Sequence, residues 1–227
     1  MGRPFDIIES PGEAEETDSS SSEDEAAGSG DDEGWVVAHE AEDVWDDPSD
    51  GMLAQVFDAA EAGDAAGLAD LLQGLQVSLD TRGADSDTAI HLAALYGHTD
   101  CVRLLLDKGA RADVADADGA LPLHDASAGG YTRIVEMLLD ASPDAIDRGD
   151  REGDTALHNA ARGSHAEVLE LLVSRGADVA LQNDDFKTPL QLAEHGSRAR
   201  EVLEEAERRA AAAGDTPQLA PPAVDIA

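Results

Sequence analysis

Residues Thr88 to Asp113 read TAIHLAALYGHTDCVRLLLDKGARAD. The stretch parses as two short amphipathic helices followed by a glycine-marked turn. Versions of it begin again near Leu121, Thr155 and Thr188, so that His91, His124, His158 and Gln191 fall at intervals of 33, 34 and 33 residues. A fixed period of this length is the mark of stacked helix pairs, because one such pair cannot bury its apolar face alone. The expected fold is therefore an all-α solenoid, elongated rather than divided into several globular domains.

Composition narrows the function classes. The chain of 227 residues carries 15 Lys and Arg against 50 Asp and Glu, a formal charge of −35. Such a chain repels nucleic-acid phosphates and anionic lipid head groups, so neither nucleic acid nor a membrane surface is an expected partner. A protein with a basic patch is. The single cysteine, Cys101, excludes an intramolecular disulfide framework and is read as a small buried hydrophobe in a reducing compartment. The N-terminus MGRPFDIIESPGE lacks the features of a leader or of a myristoylation signal. No run has the length of a membrane span. A cytoplasmic location is expected, with a nuclear one as a secondary alternative, and the chain is expected to be a monomer.

Residues 1–51 form an acidic tail. Over residues 1–50 there are 18 acidic residues against Arg3 alone, with many Ser and Gly. This composition cannot bury enough apolar surface to offset the entropy of ordering, and disorder is expected. Ser20, Ser21 and Ser22 each precede an acidic residue by three positions, Glu23, Asp24 and Glu25, which resembles a site for an acidophilic casein-kinase-type enzyme. Further on, GWVVAHEAEDVW holds both tryptophans; a short helix over 35–46 would place Val37, Ala41, Val44 and Trp45 on one face. That segment could dock in a partner, fold back over the solenoid, or only mark the start of the ordered region. Residues 210–227 are rich in Ala and Pro and are also expected to be disordered.

The repeats resemble ankyrin repeats. The block GDTALHNAARGSHAEVLELLVSRGADV follows that family's pattern nearly throughout: a Thr-Pro-Leu-His type opening, an Ala-Ala pair, a turn before the second helix, a Val-x-x-Leu-Leu helix and a Gly-Ala-Asp ending. GALPLHDASAGGYTRIVEMLLDAS keeps Pro122, Leu123 and His124, and FKTPLQLAEHGSRAREVLEEA keeps Thr188, Pro189 and Leu190 but has Gln191 for the histidine. The resemblance implies an ankyrin-repeat domain over 52–209 with short β-turn or hairpin fingers. It divides into an N-terminal capping repeat (52–83), repeats 84–115, 116–149 and 150–182, and a C-terminal capping repeat (183–209).

Each recurring residue has a physical reason. Thr88, Thr155 and Thr188 can cap the first helix of their units, and Pro122 and Pro189 sit where a missing N–H costs nothing. Ala93-Ala94 and Ala160-Ala161 let the inner helices approach closely. Leu104, Leu105, Leu138, Leu171 and Leu172 supply the surface buried between outer helices. Gly109 and Gly176 permit the left-handed residue that ends the outer helix. His91, His124 and His158 lie one per repeat, in a row rather than converging on a point, which argues against a metal. In the family such a histidine bonds backbone between adjacent units, and His98 and His165 are read likewise. Between Leu139 and Gly153 an extra residue and Pro143 predict a differently shaped loop and a break in the ladder of turns. In the last unit about two residues are missing before Val202 and Leu203.

No nucleophile–base pairing, phosphate-binding glycine loop or Cys/His zinc spacing occurs, so neither enzymatic activity nor a cofactor is expected. The resemblance implies that a partner protein binds the concave face through the finger tips and the inner helices. Carried over position by position, the candidates are Asp85, Asp87, Leu95, Tyr96, Asp118, Arg151, Glu152, Asp154, Arg162, Asp184, Asp185 and Lys187. Arg162 could face a partner carboxylate or pair with Asp154. The leading expectation is an adaptor for a basic protein segment. Two alternatives stand beside it: a chaperone whose acidic tail shields a basic client, and a regulatory subunit whose tail covers its own groove until phosphorylated.

Overall fold

A computed structural model describes residues 47–214. The expectations for the acidic tail, its 35–46 helix, Ser20–Ser22 and residues 215–227 lie outside the described residues.

Among the described residues ten α-helices follow one another in antiparallel pairs: α1 (Met52–Ala62) with α2 (Ala65–Gly74), α3 (Ala89–Leu95) with α4 (Thr99–Asp107), α5 (Pro122–Ala128) with α6 (Thr132–Ala141), α7 (Ala156–Arg162) with α8 (Ala166–Ser174), and α9 (Pro189–Leu192) with α10 (Arg198–Gly214). Odd-numbered helices stack on one another as an inner layer and even-numbered ones as an outer layer. No strand occurs among the described residues.

The period explains the stack. Leu105, Leu138, Leu172 and Leu203 are all buried at one position of successive outer helices, and Ile90, Leu123 and Leu157 at one position of the inner helices. Each such side chain contributes about 1.5–3 kcal/mol relative to exposure. Leu104 and Leu171 lie on the margin and are only half-buried. Ala93, Ala94, Ala126, Ala160 and Ala161 are buried where inner helices meet, which is the close approach that larger side chains would prevent. Cys101 is buried among these apolar residues, and burial pushes its thiol pKa up, as a structural cysteine requires. Gly109 and Gly176, both at φ 94°, follow α4 and α8 as expected, and the next N–H in each case returns to the helix, Ala110 to Leu105 O at 3.0 Å and Ala177 to Leu172 O at 3.1 Å.

The turn between the helices of a pair is locked by a ring. Tyr131 lies against Gly97 and Gly129, where a Cβ would come within 2.4 and 2.3 Å of it. His165 lies against Gly130 and Gly163 in the same way. His98 and His165 also bond backward to the preceding inner helix, Nε2 to Glu61 O and to Ala128 O, both at 2.8 Å.

Both ends extend past the expected bounds of 52–209, and the loop at Pro143 has the changed shape that the sequence predicts. The first helix is capped from before residue 52: the Asp47 carboxylate accepts from the Ser49 and Ala54 N–H groups at 2.7 and 2.9 Å, and Ser49 Oγ accepts from Leu53 N–H at 2.5 Å. The last helix runs to Gly214, past the expected end at 209, because its Ala-rich end has high helix propensity. Pro143 begins a short 3-10 turn, Pro143–Ala145, that absorbs the extra residue and buries Ala145. The shortened last unit is as the sequence predicts, with α9 a single turn of 4 residues against 7 in α3.

Candidate interaction face

Four fingers project between the repeats, at 83–87, 116–120, 150–154 and 183–187. Each is closed by one backbone bond from its first residue to its fifth carbonyl, 2.8 Å in Gly83 to Asp87 and 2.9–3.1 Å in the other three. In the last three fingers the first residue also folds its side chain inward. Asp116 Oδ1 accepts from Asp118 and Ala120 N–H, Asp150 Oδ1 from Glu152 and Asp154 N–H, and Asn183 Oδ1 from Asp185 and Lys187 N–H, all within 2.8–3.1 Å. This is the Asx turn, which lets a carboxylate or amide replace a backbone partner. The first finger begins with Gly83 instead, since a Cβ there would fall 2.7 Å from the Phe57 ring.

Neighbouring fingers are joined by Arg151 N–H to Asp118 O at 2.8 Å and Asp184 N–H to Glu152 O at 2.9 Å. The expected break in the ladder near Pro143 is therefore absent, because the 3-10 turn restores the phase before the third finger starts. Instead, no backbone bond joins the first finger to the second among the described residues.

The histidine row holds the fingers to the inner helices. Leu121 N–H and Thr155 N–H donate to Nδ1 of His124 and His158 at 2.9 and 3.1 Å. A backbone N–H can only donate, so Nδ1 is the acceptor and the ring proton sits on Nε2. From there His124 donates to Arg148 O and Asp154 O at 3.0 and 3.1 Å, and His158 to Lys187 O at 3.0 Å. His91 repeats the arrangement toward Ala120 O at 3.3 Å. Burial holds the His91 and His124 pKa values below the ordinary range, which keeps these rings neutral. They are structural, as expected. Among the described residues no group of three or more His, Cys, Asp or Glu is placed to hold a metal ion.

The candidate contact residues differ in what surrounds them. Asp85, Glu152 and Asp184 are exposed finger carboxylates. Asp118 and Asp185 are exposed too, but each has a cation nearby: Arg151 at 3.7 Å from Asp118 and Lys187 at 3.2 Å from Asp185. Leu95 and Tyr96 stand exposed at the end of α3, with the Tyr96 ring stacked beside His98 and its hydroxyl turned to Glu61. Asp154 is a correction. Expected at an open tip, its side chain is buried, accepting from Asn183 Nδ2 at 2.7 Å and from the Arg162 guanidinium. Burial alone would raise its pKa, yet these two donors hold it below the usual carboxylate range. Arg162 thus spends one edge on Asp154 while about half its side chain stays open.

Two residues were missed by the sequence reading. Asp125 occupies the inner-helix position held by Leu92, Asn159 and Leu192 in the other repeats. It is half-buried, and burial followed by repulsion from Asp87 and Asp116 pushes its carboxyl up to about 8. Asp87 is raised for the same reasons, burial first and then Asp116, Asp85 and Asp118. An acid aligned with leucines was the available signal. Phe186 is the second, an exposed aromatic at the position where the two preceding repeats have Gly119 and Gly153.

Two family models match the chain, one described as ankyrin repeats (3 copies) over residues 56–147 and one as ankyrin repeats (many copies) over 123–173. The chain belongs to the ankyrin-repeat family. Together the matches span the stacked pairs from α1 to α8 and so cover the first three fingers. Comparison with curated proteins finds no match. Ankyrin repeats are in general protein–protein interaction modules, and their domains are typically non-enzymatic. Among the described residues no helix is long and apolar enough to cross a membrane.

Proposed function

We propose that this ankyrin-repeat protein is an adaptor that binds a basic segment of a partner protein across its fingers and inner helices. The observation that carries the reading is the charge left over on that face. Its two finger cations, Arg151 and Lys187, already lie beside Asp118 and Asp185, and Arg162 is engaged by Asp154. Among the described residues, Asp85, Asp87, Asp116, Glu152 and Asp184 have no basic side chain paired with them by an ion pair. An approaching Lys or Arg would relieve repulsion that the folded chain otherwise carries, and the acidic N-terminal segment would extend the attraction beyond the face itself.

The test is the triple charge reversal Asp118→Lys, Glu152→Lys, Asp185→Lys, compared with wild type by affinity capture, cross-linking and mass spectrometry. Cross-links from the fingers to Lys/Arg-rich partner segments, lost in the triple variant and weakened by salt, are expected. Capture that is unchanged by the triple reversal would overturn the reading.

A further inference from the structure

Four equivalent finger residues take the left-handed conformation: Ser86, Gly119, Gly153 and Phe186, at φ 67°, 79°, 73° and 59°. Glycine occupies this conformation without the Cβ clash that any other residue meets, and a bulky aromatic is a genuine outlier there. The second and third fingers use glycine for a further reason. A Cβ on Gly119 would meet the backbone N of Arg151 at 3.2 Å, and one on Gly153 the backbone N of Asp184 at 3.1 Å, because the next finger packs against them. The fourth finger has no successor among the described residues, so its side chain is free to project.

What projects is a phenylalanine ring that is 79% exposed. The turn would be less strained with glycine, and a ring in water adds nothing to the core. A strained backbone that holds out an exposed aromatic is an outlier from which a role in contact follows. Only two other large apolar side chains are exposed among the described residues, Leu95 and Tyr96, and they lie at the opposite end of the repeats. Around Phe186 the surface is acidic: Glu152, Asp184 and Asp185 are exposed, and the one cation of the finger, Lys187, is held by Asp185.

We infer that Phe186 is an apolar anchor for an extended partner segment in which an aliphatic or aromatic residue is flanked by Lys or Arg. The apolar residue covers the ring, and the flanking cations meet Glu152, Asp184 and Asp185. The inference rests on the basic-partner reading above and adds to it where the segment is fixed and which side chain it must carry.

The test uses the full chain and a library of short Lys/Arg-rich peptides in which one central position is varied, read by fluorescence anisotropy. Wild type is expected to favour an apolar residue over serine at that position by about tenfold, the discrimination of one well-covered side chain. Phe186→Gly removes ring and strain together. It should abolish the apolar preference, keep the preference for basic flanks, and raise Tm by about 2–4 °C, as expected for relief of roughly one unfavourable residue. An apolar preference that survives Phe186→Gly would overturn the anchor and leave the basic-partner reading standing. Indifference of the wild type to basic flanks would overturn both. A lower Tm in Phe186→Gly would make the ring structural and likewise overturn the anchor, as would concentration-dependent self-association that Phe186→Gly abolishes.

Discussion

The Asp125 carboxyl gives the sharpest handle on the inner-helix surface. Its pKa is pushed up to about 8 from an ordinary 3.8, first by burial and then by Asp87 and Asp116. In the unfolded chain that carboxyl ionises near 4. Between about pH 4 and pH 8 the folded state therefore holds one more proton than the unfolded state, and stability falls as pH rises. Each pH unit in that window costs about 1.4 kcal/mol for one full proton, so the complete shift would approach about 6 kcal/mol. Asp125 is half-buried, water reaches the group, and about 2–3 kcal/mol across the window is the expected size.

Asp125→Asn removes the titration while keeping the shape and polarity. Near pH 5, where Asp125 is neutral in the folded state, variant and wild type should unfold at similar urea concentrations. Near pH 9 the variant should be the more stable by about 2–3 kcal/mol, the same penalty now avoided. Far-UV circular dichroism is the right observable, since both tryptophans, Trp35 and Trp45, precede the described residues. Parallel pH profiles for the two proteins would refute the argument. So would a variant that gains stability equally at both pH values, which would point to the Asp125 side chain being disfavoured for its polarity and not its charge.

Three further outcomes are expected. Ser127 is buried with its hydroxyl unpaired among the described residues, at the place of Ala94 and Ala161, so Ser127→Ala should stabilise the domain by about 1 kcal/mol in the same urea assay. Gly153→Ala meets both a left-handed φ and the backbone of the fourth finger, and should destabilise by about 2 kcal/mol or more, whereas Ser86→Gly in the first finger should be neutral or stabilising. His91 and His124 are held neutral by burial, so below about pH 6.5 the unfolded chain takes up protons that the folded chain refuses, and stability falls with pH at up to about 1.4 kcal/mol per unit for each ring. In an Asp125→Asn background, urea midpoints near pH 5 and pH 7 should show that loss, and His124→Gln should reduce it. Gln191 already shows that an amide can accept the capping N–H, from Thr188 at 3.0 Å.

The period made the fold legible, and the one-letter deviations made parts of it predictable. Gly109, Gly176, the Ala pairs and the histidine row stand where the pattern put them, because their roles depend on residues within one unit of themselves. The missed features depend on what lies across a junction. Pro143 and the extra residue read as a break, yet whether a ladder breaks is settled by the phase of the next finger, and a 3-10 turn restored it. Asp154 read as a tip residue, and its burial follows from Asn183, 29 positions on, and Arg162, 8 positions on. Asp125 gains its raised pKa from burial first and then from Asp87 and Asp116 on two different fingers.

The unbonded first finger has a cause of the same kind. Where Gly119 and Gly153 let the next finger approach to within contact of a Cβ position, Ser86 carries that Cβ, and Gly83 removes the side chain that closes the other three turns. The first finger thus has neither the inward carboxylate nor the bond to its neighbour, and local opening should begin there. At the other end the fourth finger is tied by Asn183 and by Asp184 N–H, yet carries the strained Phe186. A chain selected for stability alone would place glycine at residue 186, as at Gly119 and Gly153, and leucine at residue 125, as at Leu92 and Leu192. It gives up stability at both, one residue on a finger tip and one on an inner helix. Departures from local rules without a structural gain are expected at functional or strained sites, and these two are the positions where the proposed contact face would use them.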